Sequence, residues 1–171
     1  MQFEGMMSFA LDIQKFAKKC VTRSDLVVRK VVLDIGRSLV EKTPVGNPSL
    51  WEGWEKGGAA KNQGHWLVKA GFVGEGYAGG HARANWQHST GAPIQVDLVD
   101  ARDKTGQPTI DKIEASIPQK AAGLVHYITN SVPYIQALED GHSKQAPHGM
   151  VATTEVEFQG IVDVAVSKVS K

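Results

Sequence analysis

The chain has little of several things, and each scarcity removes a class of protein. It holds one cysteine, Cys20, so no disulfide can close within it and no thiolate cluster can hold zinc. No apolar run approaches the roughly 20 residues that cross a bilayer as a helix. Met1 to Ala10 lacks the basic-then-apolar order of a secretion leader. Charge of one sign is not in excess: 19 Lys and Arg stand against 18 Asp and Glu, so there is no global pull toward nucleic acid or anionic lipid. Internal repeats and low-complexity tracts are absent as well. What remains is one soluble domain of 171 residues, able to bury a core without a metal or disulfide and suited to synthesis in a reducing cytoplasm.

From Ser8 to about Glu41 the apolar residues Phe9, Ile13, Phe16, Cys20, Val27, Val31, Ile35 and Leu39 step by three, four or seven. That spacing predicts one stripe of a long amphipathic helix, with Cys20 buried as a small hydrophobe. Thr22-Arg23-Ser24-Asp25 resembles a cap, so a break near Val21 stays open. Thr43-Pro44 ends the helix, because a residue before proline disfavours it. The stretch from Val45 to Gly80 contains 10 of the 18 glycines and three of the four tryptophans. Its aromatics, Trp51, Trp54, Trp66, Phe72 and Tyr77, are too apolar for a solvated linker. This insertion or arm packs either on its own subunit or on a neighbour. A helical turn follows at His81 to Trp86. Strands are expected at Pro93–Leu98, Ile110–Ile117 and Leu124–Ile128, the first two separated by turn residues Asp103 to Pro108. Val132 to Leu138 reads as a helical turn closed by Gly141. Met150 to Val169 fits a helical face, although Val162, Val164 and Val166 also alternate like a strand. The expected fold is α+β: a long N-terminal helix and a C-terminal helix packed on a small, mainly antiparallel sheet, with the Gly/Trp-rich insertion.

Signatures of chemistry are weak. The six histidines form no zinc spacing, although His81 and His88 would share a face if one helix carried both. Gly74-Glu75-Gly76-Tyr77-Ala78-Gly79 matches GxGxxG but follows a poor strand, and neither GxSxG nor HExxH occurs. Glu139-Asp140-Gly141-His142-Ser143 gathers polar groups, which a helix ending at glycine explains. Lys15, Lys18, Lys19, Arg23, Arg29 and Lys30 could face phosphates, yet acidic residues are interspersed.

Three segments in order carry a resemblance. They are Thr43-Pro44-Val45-Gly46-Asn47-Pro48-Ser49-Leu50-Trp51, then Gly76-Tyr77-Ala78-Gly79-Gly80-His81-Ala82-Arg83-Ala84-Asn85-Trp86-Gln87. The third is Tyr134-Ile135-Gln136-Ala137-Leu138-Glu139-Asp140-Gly141-His142-Ser143-Lys144-Gln145-Ala146-Pro147-His148-Gly149-Met150-Val151. Together they resemble the neck, head–tail joining and tail-completion proteins of tailed bacteriophages, the group of the lambda minor tail protein Z. In that family a TPV segment leads to a small-residue Arg-x-Asn/Ser-Trp segment, and a later Leu-Glu-x-Gly-x-Ser-x-Gln-Ala-Pro-x-Gly-Met segment opens the final helix. His142 stands where a small or hydroxyl residue is more usual.

The resemblance implies a non-enzymatic virion protein, without cofactor or metal, that forms a homo-oligomeric ring, six-membered as the expectation. The ring would sit in the neck between the head connector or adaptor and the tail tube or terminator, near genomic DNA and away from membranes. Trp51, Trp54, Trp66, Tyr77, Arg83 and Trp86 are the candidate inter-subunit contacts. Tyr134, Leu138, Gly141, Pro147, Gly149 and Met150 are the candidate motif core, with Pro147 set for the first turn of the last helix. The alternatives are a tail terminator or adaptor and a DNA-contacting or DNA-processing protein.

Overall fold

A computed structural model describes residues 2–47 and 77–170, with only the helical backbone for residues 2–10. Helix α1 (Gln2–Lys42) runs unbroken for 41 residues, about 60 Å at 1.5 Å per residue. The break left open near Val21 does not occur. Thr22 and Ser24 turn their hydroxyls back onto the Lys18 and Cys20 carbonyls, each at 3.0 Å, so they sit inside the helix and cap nothing.

The apolar stripe of α1 meets expectation only at its C-terminal end, where Leu39 is in the core and Ile35 packs against it. The core takes Val32, Leu39 and Val40, whereas Ile13, Phe16 and Cys20 are exposed. At about 100° per residue these sets lie on different faces. Cys20 is therefore not a buried hydrophobe. The body of the protein begins only at Asp25, whose carboxylate accepts the Ala121 and Ala122 N–H groups at 2.9 Å, and residues 11–24 project beyond it.

After α1 come α2 (His81–Ala84), β1 (Gln87–Thr90), α3 (Gln107–Ser116), β2 (His126–Thr129), α4 (Ile135–Glu139) and α5 (Val151–Ser170). The sheet has two antiparallel strands, with His88 opposite Ile128 and Ser89 opposite Tyr127. The α+β architecture matches expectation, but two of the three expected strands do not form. Ile110–Ile117 is helix α3. Ile110, Ile113 and Ile117 are buried at helical spacing while Ala115 is exposed, so the alternation of Ile113, Ala115 and Ile117 was misleading.

The apparent hairpin turn before α3 is its N-terminal cap. Asp103 Oδ1 accepts the Gly106 N–H at 2.7 Å, and Oδ2 accepts the Thr109 N–H and hydroxyl at 3.0 and 2.7 Å. Burial pushes the Asp103 carboxyl up, but donors from Thr109, Gly106 and Thr105 outweigh it and hold the group below the ordinary carboxylate value. Pro93–Leu98 is extended loop, held by side chains where a ladder was expected. Buried Asn85 takes the Leu98 N–H at 2.7 Å, and Gln87 donates to the Val96 carbonyl at 2.7 Å. Strand β1 itself, Gln87-His88-Ser89-Thr90, carries no apolar alternation to announce it.

The core gathers α1, α3, Trp86, Val132, Leu138 and Met150. Helix α3 crosses α1 at Gly36, where a Cβ would lie 3.0 Å from Ile113 Cγ2. Helix α5 packs on another side of α1, through Ser38 Oγ to Thr154 Oγ1 at 3.0 Å and through the Lys42–Glu157 ion pair.

Candidate functional site

The three segments singled out in the sequence converge on one junction at the C-terminal end of α1. Thr43 donates its hydroxyl to the Leu39 carbonyl at 2.6 Å, and Trp86 Nε1 donates to that same hydroxyl oxygen at 2.6 Å. Arg83 reaches the Thr43 carbonyl at 2.8 Å, the Glu41 carbonyl at 3.3 Å and the Lys104 carbonyl at 2.7 Å. A cation on the free carbonyls of a helix C-terminus satisfies acceptors and complements the dipole. From the third segment, Gln145 brackets Val45, accepting its N–H at 3.4 Å and donating to its carbonyl at 3.1 Å. Residues 40 to 100 positions apart are thus tied together by side-chain bonds to one short stretch of backbone.

A glycine pair shapes the approach. Gly79 and Gly80 hold φ of 73° and 81°, and at Gly80 a Cβ would meet the Asp103 carbonyl oxygen at 2.5 Å. The chain reverses there and sets Arg83 and Trp86 against α1.

The third segment does a second job. Glu139, at the end of α4, accepts the N–H groups of Met150, Val151 and Ala152 at 2.8, 2.9 and 2.9 Å. One carboxylate thereby serves three of the free donors at the start of α5 and places negative charge at the positive end of its dipole. Gly141 (φ 81°) closes α4, and its missing side chain admits the Pro147 carbonyl; a Cβ would sit 2.6 Å away. Gly149 (φ 76°) admits Glu139 in the same manner. Leu138 and Met150 are buried, and Tyr134 is buried under α2, its hydroxyl pushed up by burial and by neighbouring Tyr77. Pro147 is not in the first turn of α5. It lies in the preceding loop, where its carbonyl packs on Gly141.

The chain matches no protein-family model, and no curated protein or solved structure matches it.

Of the candidate inter-subunit contacts, Trp51, Trp54 and Trp66 lie outside the described residues, as do most of the 45–80 arm and the first half of the Gly74–Gly79 match. The other three turn inward. Trp86 is 5% exposed and in the core, Arg83 binds carbonyls of its own chain, and Tyr77 packs on the core beside Gly46. Their role in the subunit is to lock the end of α1. Sequence reading missed Thr43, Asp103, Glu139 and Gln145 as the partners that close these loops. Each is an ordinary polar residue whose partner is fixed only by folding.

The histidines do not share a helical face. His81 pairs with Asp97 at 3.0 Å. His88 lies on β1 with its ring 5.2 Å from that of His126, bonded to it at 2.9 Å and to Ser116 at 2.8 Å. Burial lowers His88, and adjacent His126 lowers it further. Among the described residues no three of His, Cys, Asp and Glu gather as a metal site. Of the basic residues of α1, Arg29 bonds Gln119 at 3.1 Å and Lys30 bonds Asp34 at 2.7 Å, while Lys15, Lys18, Lys19 and Arg23 are exposed on the projecting part.

Among the described residues no helix is long and apolar enough to cross a membrane. Among the described residues, uncovered apolar side chains lie on helices α1 and α5 and in the loops at Val96, Val99, Leu124 and Val125. Helix α5 buries only Thr154 and Ala165 of its 20 residues, leaving Val151, Val156, Phe158, Val164 and Val166 exposed.

Proposed function

We propose that the chain is a structural, non-enzymatic virion protein of a tailed bacteriophage, which joins or completes the tail at the head–tail neck as a ring of identical subunits. One observation carries the reading. The three segments on which the resemblance rests meet in one junction, so their residues are constrained together by packing, as in a building block. The uncovered apolar sides of α1 and α5 support assembly, since a helix apolar on several sides is normally buried. The flanking proteins would be the head connector or adaptor and the tail tube or terminator.

The experiment is an amber mutation in the gene of the phage that encodes the chain, examined by electron microscopy and by mass spectrometry of purified particles. Filled heads and complete tails that fail to join, with the chain present in wild-type particles, is the expected outcome. Tails of irregular length would move the assignment to tail termination, and particles that lack the chain would remove the virion reading.

A further inference from the structure

We infer that the projecting part of α1 docks on helix α5 of a second copy of this chain, giving a head-to-tail contact. Ile13, Phe16, Cys20, Val27 and Val31 lie within about 60° of one another at 100° per residue, on the side where Ser38 and Lys42 meet the subunit's own α5. The lower part of this face is covered by α5. The upper part continues past it bare: Phe16 is 66% exposed, and every residue from 11 to 24 is open. The face is thus a continuation of an α5-binding seam, and the occupant it fits is another α5.

Charge selects the same partner. The projecting part carries Lys15, Lys18, Lys19 and Arg23 against Asp12, four positive less one negative, or +3. Helix α5 carries Glu155, Glu157 and Asp163 against Lys168; with Glu157 already paired to Lys42 of its own subunit, two negative less one positive leave −1. Two projecting segments side by side would repel, whereas the segment of one copy and α5 of the next attract. On α5, Val151, Phe158 and Val162 form a flank beside the seam, with Phe158 48% exposed and Glu155 adjoining. Because the two surfaces differ, the contact is heterologous. It leaves each copy with one unused half of the contact until a ring closes.

This deepens the assembly step of the proposed function. The test reads self-association alone, so its failure leaves the virion assignment standing. Full-length chain is followed by sedimentation velocity from 1 to 200 µM, with circular dichroism on every variant. The wild type is expected to associate. Phe16→Glu, at an exposed position, is expected to weaken association at least tenfold with the helix signal and melting temperature unchanged. Should that variant misfold, charge reversal provides a second arm. Lys15→Glu/Lys19→Glu and Glu155→Lys/Asp163→Lys should each associate at least tenfold more weakly alone and recover when mixed.

Oxidation with copper phenanthroline adds the register, using Cys20, exposed on the docking face. With Val151→Cys, Val162→Cys or Val166→Cys, at least one pairing should give a ladder longer than dimer on a non-reducing gel. A wild type that stays monomeric at 200 µM overturns the inference. So do a Cys20–Cys20 dimer as the main product and mixed reversal variants that fail to recover. A salt-sensitive DNA shift that is lost in Lys15→Glu/Lys19→Glu while association is unchanged would assign the segment to nucleic acid.

Discussion

Replacing Glu139 with alanine should uncouple α5 from the body while leaving the hydrophobic core intact. The carboxylate accepts three N–H groups at 2.8 to 2.9 Å, and bonds to a charged acceptor contribute about 1.5–3 kcal/mol each in favourable cases. The three are not additive here. Val151 and Ala152 are exposed, so their N–H groups regain water, and their share falls to the ordinary cap value of roughly 1 kcal/mol. Met150 is fully buried, so its N–H is left without a partner at a cost of about 1–3 kcal/mol. The total is about 2–4 kcal/mol. For a chain of this size that is roughly 4–16 °C in melting temperature, at about 2–4 °C per kcal/mol. Glu139→Gln keeps one acceptor oxygen and should lose about half as much. Urea unfolding followed by circular dichroism and tryptophan fluorescence measures both. A loss under about 0.5 kcal/mol for Glu139→Ala would refute the claim that one side chain organises the start of α5.

Thr43→Val preserves volume but removes the acceptor of the buried Trp86 indole N–H. It should cost about 1–3 kcal/mol in urea unfolding, and Arg83→Ala, which frees the Glu41 and Thr43 carbonyls at the same helix end and the Lys104 carbonyl of the loop before α3, should cost a similar amount. Neutral behaviour of both would show that the junction adds nothing to stability. His88 gives a pH dependence: its folded value lies below the ordinary 6.5, so the unfolded chain takes up that proton first as pH falls. Its contribution is full above about 6.5 and is lost on acidification toward its folded value. The urea midpoint of the wild type should therefore fall more between pH 7 and pH 5 than that of His88→Gln, and equal slopes would contradict the assignment.

How much of this was legible in the sequence depends on the distance of the partner. Pro44 ended α1, Gly79-Gly80 marked a reversal and Gly141 closed α4, because proline and positive-φ glycine act within a few residues. Gln107–Ser116 was misread because Ile110, Ile113, Ala115 and Ile117 satisfy both periods over so short a run. The decisive signal was Asp103, whose carboxylate caps the helix from ahead of it. In β1, the buried side chain is His88, bonded to Ser116 of α3, and no apolar alternation announces the strand.

Local chemistry by itself determined that long helices lie toward both ends of the described chain, and where the chain turns. Only the tertiary structure decided which face of α1 is core. Periodicity gives the angle between side chains along a helix but not the direction in which the rest of the protein lies. The long stripe of Ile13, Phe16 and Cys20 was real as a pattern, yet the core formed on another face, because α3 approaches at Gly36 and the body stops at Asp25. That placement turned an expected core stripe into an open surface, while Arg83 and Trp86 tie down the C-terminal end of the same helix at Thr43.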